Sequence, residues 1–186
     1  VSIRSALIIV SSLYQSLVAS EDWNQFRGPN GDADAGDSNP PISFSPKKNL
    51  TWRTSLKGKA WSSPVVRDGV IWVTNAQEDG KHLWAHQFDW KTGRQLNKIL
   101  VFKNTNPQFC HPMNSYATPT PVIANGTVFV HFGAHGTAAL ELKTGEKIWE
   151  RRDFQCDHWR GAAASPIPHN NTLIVHFDGH DQQYVV

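Results

Sequence analysis

The side chains in this sequence that could do chemistry are nine histidines, two cysteines and a scatter of loop carboxylates. The pattern His-Phe-x-x-His occurs twice, from His131 to His135 and from His176 to His180. Imidazoles at such spacing could converge on a metal, with Cys110 and Cys156 as soft ligands suited to zinc or copper. No pair has Cys-x-x-Cys or His-Glu-x-x-His spacing, and the two histidine pairs lie 45 residues apart. Duplication of a structural unit explains that repeat without a metal, so none is assigned. The remaining reactive groups are His111, Asp157, His158 and Arg160, with Asp178 and Asp181 flanking His180. Arg160 beside Trp159 could bind an anionic or sugar ligand; the competing expectation is that it pairs with Asp157 or lays its stem on the Trp.

These residues sit on a repeating scaffold. From Ala117 to Trp149 the chain reads as four short segments. Thr118–Ile123 is a run of strand formers interrupted by prolines, and Asn125-Gly126 is a hairpin signal, because both residues tolerate positive φ. Thr127–Phe132 is apolar and β-branched, Ala138–Leu142 is a third strand, and Lys143-Thr144-Gly145 turns into a fourth carrying Trp149. Four antiparallel strands in about forty residues make one propeller blade. Pro121 to Pro166 is again 45 residues; Pro64 to Pro121 is 57, so the earlier copy is longer by 12, which loops can absorb. The expectation is all-β: a β-propeller of four-stranded antiparallel blades, about three of them. A sandwich of short strands needs no fixed period.

Strand alternation then sorts the loops. With the first strand of each blade running downward, the Asn-Gly and Thr-Gly turns fall at the bottom. The second-to-third-strand loops and the blade connections fall on top. His111, His135, His158, Arg160, Asp178 and His180 all map to the top and are the candidate ligand residues.

At these positions the chain resembles the pyrroloquinoline-quinone (PQQ)-type β-propeller repeat proteins, whose blade signature is Ala-x-Asp-x-x-Thr-Gly-x-x-x-Trp. Ala139, Glu141, Thr144, Gly145 and Trp149 reproduce it with one acidic swap; the earlier copy keeps Asp89, Thr92 and Gly93, with Gln87 and Asn97 in place of Ala and Trp. The segment Trp23, Phe26, Arg27, Gly28, Pro29 is similar to the opening of secreted, quinoprotein-like members. The resemblance implies that Trp149 docks against the next blade and is largely buried, whereas Asn97 should tolerate alanine. In the dehydrogenase members it also implies a quinone at the channel top, a calcium ion, a catalytic aspartate and often a bridge between adjacent cysteines. This sequence has no Cys-Cys pair, so PQQ and calcium stay possible but unassigned, and no catalytic position is carried over.

Composition narrows the classes. A net charge of +2 with scattered Lys and Arg lacks a nucleic-acid footprint, and no apolar stretch is long enough for a spanning helix. Residues 1–20 read as a secretory signal, with Arg4 before an apolar region and Val18-Ala19-Ser20 at the cleavage point, which implies a periplasmic or extracellular protein. Residues 21–48 are a turn-rich loop segment that Trp23 and Phe26 should pin down, and its Asp32, Asp34 and Asp37 fail the EF-hand spacing. Residues 49–186 are the partial propeller, read as a fragment because three blades do not close a ring. Asn49–Leu56 aligns with the outer strand of a blade and would complete the last one. Cys110 and Cys156 precede Pro121 and Pro166 by 11 and 10 residues, near-equivalent places on adjacent blades. In an oxidising compartment a disulfide between them is expected. The functional expectation is a non-catalytic module that binds a protein or small ligand through its top loops. The alternatives are a PQQ-dependent alcohol or sugar dehydrogenase and an envelope protein-assembly scaffold.

Overall fold

The computed structural model describes residues 22–186, so the expected signal segment lies outside the described residues. The first copy forms β1 (Val65–Arg67), β2 (Val70–Ala76), β3 (His82–Asp89) and β4 (Gln95–Lys103), an antiparallel sheet in that order. The second forms β5 (Val122–Ala124), β6 (Thr127–His131), β7 (Thr137–Glu141) and β8 (Lys147–Arg151), again in sequence order. The tight turns that join first to second strands are made by residues with positive φ: Asp68 and Gly69 at 52° and 76°, Asn125 and Gly126 at 49° and 73°. In the third copy β9 (Ile167–His169) pairs β10 (Thr172–Ile174), and β11 (His176–Asp178) pairs β12 (Gln183–Val185). Val175 exchanges both backbone hydrogen bonds with Val186, so β10 and β11 follow one line broken at a single residue.

The blades pack face to face because their strands alternate. Trp72, Leu83, Ala85 and Phe102 of the first blade and Val128, Val130, Phe132 and Leu140 of the second form one buried cluster. The inner strands meet in turn, β1 against β5 and β5 against β9. A hydroxyl relay links them there. The backbone N–H of Ser63 donates to Thr120 Oγ1 at 3.0 Å, and the N–H of Thr120 donates to Ser165 Oγ at 3.0 Å. Each is the residue before the recurring proline, so the repeat places a hydroxyl where the previous blade has an unpaired amide. Thr120 is buried. Thr120→Val should therefore lower stability in chemical denaturation by about 1–3 kcal/mol; an unchanged midpoint would contradict the relay.

The segment after residue 21 laces the inner edges of two blades. The Trp23 carbonyl accepts from Val66 N–H and the Asn24 carbonyl from Ile123 N–H, both at 2.8 Å. The Trp23 ring covers Gly28, which sits at φ 79° with no room for a Cβ. Phe26, expected to pin this segment, is instead half exposed beneath the Arg27 guanidinium.

Three expectations about blade docking need correction. Residues 49–56 form no strand, yet Trp52 lies flat on Gly93 and donates from Nε1 to the Trp90 carbonyl at 2.9 Å. Trp149 is 39% exposed rather than largely buried; it reaches Phe129 and lines a crevice against Pro168 and Leu173. Asn97 is far from idle. It donates to Gln87 Oε1 at 2.5 Å, and Gln87 Nε2 donates across the blade joint to the carbonyls of Leu142 and Lys143. The Gln87–Asn97 pair thus does in polar form what Ala and Trp do in the signature, while Ile99 and Trp72 cover Gly145.

The acidic member of the signature has a local reason. Asp89 Oδ1 accepts from the amide and hydroxyl of Thr92, and Glu141 Oε2 accepts from the amides of Lys143 and Thr144. The Thr92 hydroxyl bond first, then its amide, holds the Asp89 carboxyl below its usual range; for Glu141 the Thr144 amide leads. Either acid closes the turn, which is why the swap is tolerated.

Candidate functional site: the top-face loops

Antiparallel order puts the loop from β6 to β7 on the same end as the connections 104–121 and 152–166. Most histidines of that face are committed to structure. His131 is fully buried, with Nδ1 2.8 Å from Thr137 Oγ1, its ring edge-on to Phe177 and Nε2 without a partner among the described residues. Burial, reinforced by nearby His158, pulls its pKa down to about 3. His135 accepts from the Gln108 amide at 3.3 Å and meets Tyr116 edge-on, and burial lowers its pKa as well. His158 is buried beside Phe177, in the space that the missing Cβ of Gly133 leaves.

Cys110 and Cys156 are free thiols, so the expected bridge is not formed. Their sulfurs face different partners. Cys110 Sγ lies 3.8 Å from the His111 carbonyl and crowds Gly161, whereas Cys156 Sγ is 3.2 Å from His158 Nε2. Near-equivalence in sequence failed because the two connections differ in length and route. Burial, then the Asp181 charge, raises the Cys156 thiol to about 11, which keeps it protonated and unreactive. Register also separates His180 from His135. His131 pairs with Thr137, but His176 pairs with Val185, so the third blade turns through a different loop. There the His180 amide donates to the Asp157 carbonyl, and its ring stands 4.0 Å from the Asp157 carboxylate. Asp181 accepts the Asp157 and Gln182 amides, while Asp178 is exposed on β11.

What remains open is a groove of about 470 Å³ between the two connections, lined by His111, Met113, Asn114, Trp159 and Arg160. Met113 is 81% and Trp159 50% exposed. The Arg160 guanidinium stacks over Trp159 at 4.8 Å and has no carboxylate partner among the described residues; Asp157 faces His180 instead. Asn114 braces the floor, donating from Nδ2 to the carbonyls of Arg160 and Gly161 at 2.8 and 3.1 Å. Sequence reasoning reached His111 and Arg160 but missed Met113 and Asn114. It also missed a second, polar groove around His135, where Arg152 donates to the His135 carbonyl and to Asn104 Oδ1. Arg152 carries no motif; only its place at the end of β8 marks it.

A quinone site of the dehydrogenase type needs a calcium held by several oxygens. Among the described residues no three His, Cys, Asp or Glu side chains are grouped to hold a metal ion. No helix of the described residues is long and apolar enough to cross a membrane.

Repeated antiparallel blades, closed by acid–Thr–Gly turns and joined at their inner strands, define a PQQ-like β-propeller repeat protein. The chain belongs to the family described as outer membrane protein assembly factor BamB, whose pattern matches residues 45–179. Comparison with curated proteins gives no match. Among solved structures it is similar to a quinohemoprotein alcohol dehydrogenase from Comamonas testosteroni, at 18% identity and TM-score 0.49, covering 69% of this chain and 19% of that one. It is also similar to a europium-containing methanol dehydrogenase, at 18% identity and TM-score 0.48, covering 70% and 22%. BamB from Moraxella catarrhalis aligns at 15% identity and TM-score 0.44, covering 68% and 33%. The chain thus spans between a fifth and a third of the length of these proteins.

Proposed function

We propose that this chain contributes blades to an exported β-propeller that binds a protein partner through its top-face loops and is not itself a catalyst. The observation that carries this reading is the groove of Met113, Trp159 and Arg160. It leaves a thioether, an indole and a guanidinium in water, the side-chain types enriched at protein interfaces. The histidines and thiols best placed for chemistry support it from the other side, since His131, His135, His158 and Cys156 are held in packing contacts. The family's description as an assembly factor of outer membrane proteins favours a protein partner in the envelope over a small substrate.

Photo-crosslinking of the full-length exported protein tests the reading. A benzoylphenylalanine at position 113 or 159 should give a discrete protein adduct. The same group at the bottom turns, positions 143 and 171, should give none. Adducts from the bottom alone, or reduction of a dye by the purified protein with PQQ and calcium, would overturn it.

A further inference from the structure

The groove's charge identifies its occupant more closely. Arg160 is stacked on Trp159, and a second cation–aromatic pair stands at the rim, where Lys59 Nζ lies 5.8 Å from the Trp61 ring. Lys59 reaches the groove wall directly, donating to the Pro112 carbonyl at 3.4 Å, between the lining residues His111 and Met113. Neither cation has a carboxylate partner among the described residues, and no Asp or Glu lines the groove. Trp61 and Trp159 are each about half exposed, at 48% and 50%. The floor beneath Trp159 and Arg160 is stiff. Asn114 uses both ends of its amide, accepting from the Thr118 hydroxyl and the Ser115 amide while donating to the opposite connection. Gly161 lets Cys110 and Asn114 pack on its backbone, where a Cβ would come within 2.7 Å of the sulfur.

Resting on the top-face reading above, we propose that this groove takes an acidic, aromatic-bearing segment of the protein partner. Its carboxylates sit against Arg160 and Lys59, and its apolar side chains lie on Trp159, Met113 and Trp61. A cation already stacked on an aromatic, with no acid of its own, offers a preorganised donor fork to a carboxylate and loses little by being covered. The walls carry no acid to repel it. A neutral apolar peptide would cover the same area but leave both cations unpaired in a desolvated contact, which is the costly arrangement.

The test uses the full-length protein and a fluorescein-labelled peptide of about ten residues alternating Asp and Phe, with an Asn-for-Asp control of equal length. Anisotropy should show the acidic peptide binding at least about tenfold more tightly than the control. Arg160→Gln and Lys59→Gln should each weaken it by about tenfold. Added salt should weaken it further. Both variants alter exposed or half-exposed side chains, so an unchanged melting temperature separates lost binding from lost folding. Equal affinity for the two peptides, or variants without effect, overturns the proposal. So does a chain-to-chain adduct from position 159, which would make a second copy the occupant. If adducts with another protein form at 159 but the acidic peptide does not compete with them, the acidic segment is wrong and the top-face reading stands. If no adduct forms there, both fall.

Discussion

Replacing Gly93 by alanine should cost roughly 2–5 kcal/mol, whereas the same change at Gly126 should cost only about 1–2. Both glycines have left-handed backbones, at φ 68° and 73°, so the conformational penalty is shared. The surroundings differ. Among the described residues a Cβ at Gly126 meets nothing within 4 Å, while one at Gly93 runs into the Trp52 ring, well inside contact distance. Trp52 would have to lift off the turn and give up its bond to the Trp90 carbonyl. Chemical denaturation of the two variants measures the difference. Equal losses would mean that Trp52 does not dock on the first blade as described.

That docking shows where the sequence was legible and where it was not. Strand positions in the second blade were readable because apolar, β-branched runs, an Asn-Gly turn and a Thr-Gly turn agree on the same spans, and β5 to β8 lie within a few residues of them. The 45-residue repeat announced the architecture. It did not announce that Gln87 and Asn97 would replace Ala and Trp as a bonded pair, because neither residue alone has reason to cross the joint. Nor did it give the fate of the cysteines, which depends on the route of two connections of unequal length. The candidate site was half legible. His111 and Arg160 belong to the groove, but His135 and His158 are held in packing contacts, and Asp178 and His180 stand in the displaced loop of the third blade. Side chains on loops are placed by tertiary contacts, on which a one-dimensional period is silent.

Acid should lower the protein's stability steeply between about pH 6 and 4. His86 and His131 are both buried. For His86, burial and then the Lys98 charge pull the pKa down to about 4, and burial brings His131 to about 3. Unfolding restores each to about 6.5, so below that pH the unfolded chain binds protons that the folded one refuses. Stability from this source is complete above pH 6.5 and falls as pH drops toward the folded values. At about 1.4 kcal/mol per unit the loss approaches about 3 kcal/mol for His86 by pH 4, with a similar loss at His131. Against a typical total of about 5–15 kcal/mol, the two together remove a large share of the stability. Among the described residues the His86 ring nitrogens make no well-formed hydrogen bond, with the Gln95 side chain as the nearby polar group, so His86→Leu should hold stability at pH 7 and flatten the acid slope by about one proton. Urea midpoints across this range decide it; identical slopes for the variant and the parent would show that His86 titrates normally.

On the proposed function, the top end of the propeller meets the partner. The most direct measurement is the affinity of the full-length protein for the partner captured at position 159. The parent would be compared with a top variant, Met113→Ser plus Trp159→Ala, and a bottom variant, Asn170→Gly plus Asn171→Ala. All four residues are exposed, so melting temperatures should stay together. The top variant is expected to bind at least about a hundredfold more weakly, the loss from removing two exposed anchors, with the bottom variant unchanged. A top variant that binds as well as the parent, or a bottom variant that loses binding instead, would contradict the assignment of function to the top-face loops.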